Sequence, residues 1–145
     1  MSYTYKYPRP AVTVDIALLL KKSNQTLVLL IQRKNEPFKN YWATPGGFID
    51  ENEDPLLAAE RELHEETNIK GVHIEPIGFS GTPKHKANEH VVSLWYMGVV
   101  TEVDVANAKA QDDAKNLEWF DINNLPNLAF DHKNMLDLLR YNITK

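Results

Sequence analysis

Cysteine is absent from this chain, which removes thiol catalysis, zinc–thiolate centres and disulfides together. Long apolar runs are missing too. The longest, Ile16 to Leu20 and Leu27 to Ile31, are far too short to span a bilayer. The opening segment (MSYTYKYPRP) lacks an apolar signal core, so no export is expected and a cytoplasmic location is. Positive charge is not in excess: 16 Lys and Arg stand against 20 Asp and Glu, a net charge of −4. That balance argues against nucleic acid as the main partner. An acidic protein still binds phosphates when a divalent cation stands between them. No internal repeat or low-complexity tract is visible. What remains is 145 residues, 43% hydrophobic and 25% charged, expected to form one domain over residues 1–145 that buries its core without a staple.

Val12 to Leu20 is apolar at most positions and reads as a strand covered on both faces. Ser23-Asn24-Gln25 is a turn, and Thr26 to Arg33 completes a hairpin. Residues 34–45 read as a loop ending against Gly46-Gly47, and a helix follows from Pro55 to about Thr67. Val72 to Ser80 and His90 to Thr101 predict two further strands separated by a polar loop (GTPKHKANE). Asp104 to Asn116 reads as loop, and Leu117 to Asp121 as a short strand. Asp131 to Tyr141 closes as an amphipathic helix with Met135, Leu136, Leu138 and Leu139 as its buried stripe. Strands with one central and one terminal helix predict an α/β (α+β) sandwich rather than a repeating βαβ array.

The central helix is well signalled at its start. Asp54 can cap the free amides, and Pro55 occupies the first helical position, where its missing N–H costs nothing. Leu56, Ala59 and Leu63 recur at helical spacing and are expected to face the core. On another face Glu62, Glu65 and Glu66 stand at i, i+3 and i+4, so their carboxylates converge. Like charges at that spacing oppose the helix by a few tenths of a kcal/mol per pair, about 0.2–0.5. They also lie near the helix C-terminus, where the dipole disfavours anions. A solvated acidic face partnered by Arg61 is the ordinary explanation. The sharper one is a hard-cation site, in which Mg²⁺ or Mn²⁺ cancels the repulsion. Sequences break their own local rules chiefly at functional places.

Gly47, five residues, Glu53, seven residues, then Arg61-Glu62-Leu63-x-Glu65-Glu66-x-x-Ile69 resembles the Nudix box, the signature of Nudix hydrolases. Eight of its nine constrained positions match at the right spacing over 23 residues. The exception is Asn68, where the family has glycine; asparagine is the next best residue for a left-handed helix end. The resemblance implies a Nudix-type α/β/α sandwich with a mixed sheet. It also implies divalent cations, Mg²⁺ or Mn²⁺, held by Glu62, Glu65, Glu66 and the backbone carbonyl of Gly46. Glu53 would help position that set, and Arg61 would pair with Glu53 and orient the helix. The implied reaction is hydrolysis of a nucleoside diphosphate linked to another group. The lead-in (YPRPAVTVDIALL), WATPGG, HVVSLWY and LEWF followed by LAFDH are similar to ADP-ribose pyrophosphatase-like members, over nearly the whole chain. In that subgroup a proline about fifteen residues beyond the box marks ADP-ribose hydrolases. Pro83 lies fourteen residues after Ile69, as such a marker or as an ordinary turn proline.

Several further residues carry two readings each. Asp112 and Asp113 resemble an acidic pair before the late strand; Asp113 either holds a metal or acts on the water, or the pair is a loop turn. Glu89 has the same two readings. Arg33, at the end of the second strand, meets a phosphate or is a surface charge. Phe79 stacks on a base or packs in the core, with the core favoured. Lys84, His85 and Lys86 face a polyphosphate or belong to a solvated loop. His64 has no assigned role, and His132 is read as a structural contact at the last helix.

The expected partner is thus a small nucleotide, without nucleic acid or membrane, in a chain that the resemblance allows to be a homodimer. The leading expectation is an ADP-ribose or nucleotide-sugar pyrophosphohydrolase. One alternative is a triphosphate pyrophosphohydrolase of the housecleaning type. The other is a nucleotide-sugar sensor, since similar domains occur fused to a DNA-binding winged helix. The chain ends at Lys145 after one terminal helix and keeps its carboxylates, which favours the enzyme.

Overall fold

The structure is a computed structural model that describes residues 2–81, 83 and 90–144. Its centre is strand β1 (Ala11–Lys22), whose residues Val14 to Leu20 are all buried. Such a run belongs to a strand covered on both faces. A turn with Ser23 in the left-handed region leads to antiparallel β2 (Gln25–Arg33), with Leu19 opposite Val28 and Lys22 opposite Gln25. Residues 34–45 are not all loop: β3 (Trp42–Ala43) pairs with β2, and β4 (Gly46–Phe48) pairs with β1.

Helix α1 (Pro55–Thr67) is followed by β5 (Glu75–Ser80), β6 (Val91–Val100), β7 (Ala114–Asp121) and α2 (His132–Thr144). The main path of the sheet runs β3-β2-β1-β6-β5, with β4 added to β1 and β7 to β2. The sheet is mixed because β1 and β6 run parallel from Ala11–Val91 to Leu20–Val100, while the other pairings are antiparallel. The fifth strand begins at Glu75 rather than Val72. The chain at His73 crosses β6 over Gly98, where a Cβ would stand 2.6 Å from the His73 carbonyl oxygen. Backbone that crosses a strand at that distance does not pair beside it. The late strand begins at Ala114, three residues before the expected Leu117.

Alternation along β1 and β2 divides the interior in two. Val14, Ile16, Leu18 and Leu29 face Ala58, Ala59 and Leu63 of α1. Ala17, Leu19, Val28, Leu30 and Trp95 face Met135, Leu136 and Leu139 of α2. The layers are therefore helix, sheet, helix, as expected of the α/β/α sandwich. Two core assignments need correction. Leu56 is 39% exposed, because the buried stripe of α1 runs through Ala59, Leu63, Glu66 and Thr67 with Ala58 beside it. Leu138 is 40% exposed, on the flank of a stripe formed by His132, Met135, Leu136 and Leu139. Among the described residues no helix is long and apolar enough to cross a membrane.

The ends of α1 follow the sequence signals. Asp54 accepts a hydrogen bond from Leu56 N at 2.8 Å, with Pro55 behind it. At the other end Asn68 is left-handed, φ 61° and ψ 17°, donating its N–H to the His64 carbonyl. Its side-chain amide also donates to Asn107 O at 3.0 Å. Left-handed backbone costs an L residue with a Cβ roughly 1–2 kcal/mol, with asparagine tolerating it best after glycine. Asn68→Ala should therefore lose about 1–2 kcal/mol in chemical denaturation. Asn68→Gly, which loses the Asn107 bond but relieves the backbone, should stay within about 1 kcal/mol of the parent.

Candidate active site

Arg61 organises the acidic segment. Its Nε and Nη2 donate to the two oxygens of Glu53 at 2.7 and 2.9 Å, a bidentate pair. Its Nη1 donates to Glu62 at 2.9 Å and Glu65 at 3.2 Å, and Nη2 also reaches the Phe48 carbonyl at 3.1 Å. One guanidinium thereby ties the loop before the helix to the helix itself, a geometry that a lysine cannot reproduce. Glu53 also accepts Asp50 N–H at 2.9 Å. The Arg61 bonds, followed by that amide, hold the Glu53 carboxyl at about 2, and Glu53 in turn raises the Arg61 pKa.

Glu66 lies outside this arrangement. It is 7% exposed, and its Oε1 accepts Gly46 N–H at 2.8 Å. Burial pushes its carboxyl up to about 8; the Gly46 amide opposes the rise, while the charges of Glu62, Asp113 and Asp15 add to it. Glu62 is also raised by burial, against the pull of Arg61. The two glycines make these approaches possible. A Cβ on Gly47 would fall 2.7 Å from the Glu62 carboxylate, and one on Gly46 would fall 2.1 Å from Val14 O. Sequence reasoning assigned Gly46 a carbonyl role; the hydrogen bond that the fold displays is made by its N–H.

These groups line an open cleft of about 490 Å³ with Arg33, Glu36, Phe48, Asp50 and Asp113. Asp113 arrives from residues 104–116, which cap the C-terminal end of α1. Lys109 N donates to Thr67 O at 2.9 Å, Gln111 N to Glu66 O at 3.0 Å, and Gln111 Nε2 to His64 O and Glu65 O at 3.0 and 3.2 Å. Free carbonyls at a helix end require such donors. Sequence reasoning missed Gln111, because a lone polar residue in a polar loop carries no spacing signal. Across the cleft Arg33 is held by Nε donation to Pro37 O at 2.8 Å, and its guanidinium stacks 4.9 Å from the centre of the Phe130 ring. Pre-set in this way, it presents a cation to an otherwise acidic wall.

The remaining candidates divide. Glu65 has a side chain 43% exposed and turned to Arg61. Phe79 was expected in the core, but it is 72% exposed on β5 and is not part of the cleft wall. Strand β5 is an edge of the sheet, and among the described residues no helix covers its Phe79 position. Pro83 is exposed, and His64 is exposed on α1. Lys84, with His85, Lys86 and Glu89, lies outside the described residues. His132 is buried and structural, with Nδ1 accepting Thr44 N–H at 3.1 Å and Nε2 3.3 Å from Asp15. Among the described residues no three Asp, Glu or His side chains are closed into a metal cage. The donor chemistry nonetheless suits a hard cation, since Glu66 is a buried carboxylate whose charged neighbours are other carboxylates.

Two predictions follow from this geometry. Gly46→Ala drives a Cβ into backbone, whereas the nearest atoms to a Cβ on Gly47 are the carboxyl end of the Glu62 side chain, which can turn aside. The first should lose about 2–3 kcal/mol or more and the second less than about 1, read by thermal melting. The second concerns pH. An unfolded Glu66 ionises near its ordinary 4.5, but the folded one holds its proton to about 8. Its stabilising contribution is therefore present below pH 4.5 and lost as pH rises through 8. The melting temperature of chelator-treated protein should fall across that window by at least about 4 °C, a shift on the order of 1 kcal/mol. Millimolar Mg²⁺ should restore it at pH 8, because a cation bound only by the folded state offsets the carboxylate repulsion.

Known proteins place the chain. The NUDIX domain family model matches residues 9–139. An ADP-ribose pyrophosphatase of Methanocaldococcus jannaschii is 40% identical over 136 residues, covering 93% of this chain and 76% of that protein. The ADPR responsive transcriptional repressor NtrR of Acinetobacter baylyi is 35% identical, covering 90% of this chain and 53% of the repressor, so the chain spans about half its length. The NUDIX domain of Shewanella oneidensis NrtR, solved in complex with ADP ribose, superposes with a TM-score of 0.85 at 28% identity, covering 97% of this chain and 94% of that one. With Gly47, Glu62 and Glu66 of the box lining one cleft and the family match running through nearly all of the sequence, this chain belongs to the NUDIX family.

Proposed function

We propose that the cleft hydrolyses the pyrophosphate of ADP-ribose, or of a related nucleotide-sugar, to AMP and a sugar phosphate. The observation that carries this reading is Glu66, a buried carboxylate amid Glu62, Asp113 and Asp15 at the wall of a cleft that Arg33 faces with fixed positive charge. The 40% identity to an ADP-ribose pyrophosphatase supports the substrate. Glu62, Glu65 and Glu66, with Gly46 beside them, would hold Mg²⁺ or Mn²⁺. When bound, such a cation neutralises diphosphate charge, polarises phosphorus and acidifies a water.

The chain's own residues do the rest. Arg33 holds a phosphate oxygen, which sets the diphosphate across the cleft. Arg61, through Glu53, fixes the loop and helix that carry the glutamates. Asp113 stands at the cleft wall as the group able to take a proton from the attacking water. Water forms a new bond to one phosphorus, the bridging P–O bond breaks, and the two phosphates leave as AMP and ribose 5-phosphate.

A second reading is a sensor that binds ADP-ribose without cleaving it, favoured by the likeness to an ADPR responsive repressor. One panel separates the readings. ADP-ribose, other sugar diphosphates and nucleoside triphosphates are incubated with Mg²⁺ or Mn²⁺, and the products are identified. AMP with ribose 5-phosphate is the expected result. A nucleoside monophosphate with pyrophosphate would indicate triphosphate cleavage, and tight ADP-ribose binding without products would indicate a sensor. Glu66→Gln should lower kcat on ADP-ribose by about 10²-fold or more. Turnover like that of wild type would remove the carboxylate cluster from the reaction.

A further inference from the structure

A buried polar pair lies behind the active site. Asp15 and His132 are each 6% exposed, and Thr44 beside them is 2% exposed. The His132 Nδ1 accepts Thr44 N–H at 3.1 Å, so the ring proton is on Nε2, which lies 3.3 Å from Asp15 Oδ1. Asp15 alternates with Ala17 and Leu19, which face α2, so this pair is on the side of the sheet opposite helix α1.

Both partners border the same short turn, His132 through a hydrogen bond to Thr44 and the Asp15 carboxylate by close approach to Gly46. Thr44 is its first residue, and Pro45 O accepts Ile16 N–H at 2.9 Å. Asp15 is the ladder partner of Gly46, and its carboxylate packs so closely that a Cβ on Gly46 would lie 2.6 Å from Oδ1. Gly46 then donates its N–H to Glu66 at 2.8 Å. The connection therefore runs from His132 to Thr44 and Asp15, on to Gly46, and from its amide to the buried glutamate. The segment before His132 is docked on the same region: Trp42 N donates to Asn127 O at 3.0 Å and Ala129 N to Trp42 O at 2.8 Å.

A salt-bridged or hydrogen-bonded pair is a weak source of net stability when buried, since desolvation offsets most of its attraction. Apolar residues of similar volume would seal this layer as well. What they could not do is fix the Thr44–Gly46 backbone from behind while the amide of Gly46 faces Glu66. Groups that orient a ligating carboxylate govern metal affinity and activity by about 10–100-fold when removed.

We infer that Asp15 and His132 are positioning residues for Glu66, acting through the Thr44–Gly46 turn to set the carboxylate that receives a divalent cation. This inference rests on the metal-dependent reading of the cleft proposed above. It concerns residues that touch neither substrate nor cation.

The test measures Mn²⁺ affinity directly, by electron paramagnetic resonance or calorimetry, in the full chain without nucleotide. Asp15→Ala and His132→Ala should each weaken Mn²⁺ binding by about 10–100-fold. Turnover of ADP-ribose should show a lower kcat at saturating Mn²⁺ with a smaller change in KM. Asp15→Asn keeps the size of the side chain and a polar oxygen beside Nε2, and should restore most of the affinity. Leu136→Ala, which opens the apolar α2 core, should lower the melting temperature and leave Mn²⁺ affinity as in wild type. Should His132→Ala not fold, Asp15→Ala with its asparagine rescue carries the comparison. Wild-type Mn²⁺ affinity in Asp15→Ala, or an equal loss of affinity in Leu136→Ala, would overturn the positioning role alone. No Mn²⁺ binding by the wild-type protein would overturn the metal reading and this inference together.

Discussion

The burial of Glu66 among Glu62, Asp113 and Asp15 is a cost that the surrounding structure has to bear. An ionised carboxylate removed from water without a cation is disfavoured, and nearby like charges deepen the penalty. Arg61 does not relieve it, because that guanidinium is committed to Glu53, Glu62 and Glu65. Among the described residues, the hydrogen-bond partner of its side chain is the Gly46 amide. The site is thus built in two halves. In one, an arginine neutralises and orders the carboxylates; in the other, a buried carboxylate has the Gly46 amide and other carboxylates around it.

Much of the local architecture can be understood as support for that arrangement. Helix α1 has to end where its last turn carries acids against the dipole, so its carbonyls are covered by Gln111 and by the left-handed Asn68. The strand turn beside it has to come within van der Waals distance of Glu62 and of β1, which two glycines permit and larger residues would not. Arg33 is stacked on Phe130 and bonded to Pro37 O, so its positive charge is held in place at the cleft by the fold. Pre-organisation of this kind lowers the cost of ordering at the moment of binding.

The parts of this protein written in local pattern were readable without coordinates. Asp54 and Pro55 announced the start of α1, and Asn68 its left-handed end, because caps depend on a few adjacent residues. The uninterrupted apolar run of β1 announced a central strand. The pairing of Arg61 with Glu53 followed from the resemblance to a known box, and the geometry agrees with it. Where reading failed, the cause was tertiary. Phe79 looked like core, yet it lies on an edge strand with no helix over it; Leu138 and Leu56 had the right spacing but the wrong phase for the layers they met.

The sequence by itself determined the bounds of α1, the central strand, the acid cluster and its family, since each is carried by neighbouring residues at fixed spacing. Only the tertiary structure decided which carboxylate is buried and which is held by Arg61. It alone brought Asp113 and Arg33 to the cleft and placed Asp15 and His132 behind Gly46. Burial and long-range pairing depend on how separate segments pack, and no spacing along one chain records that.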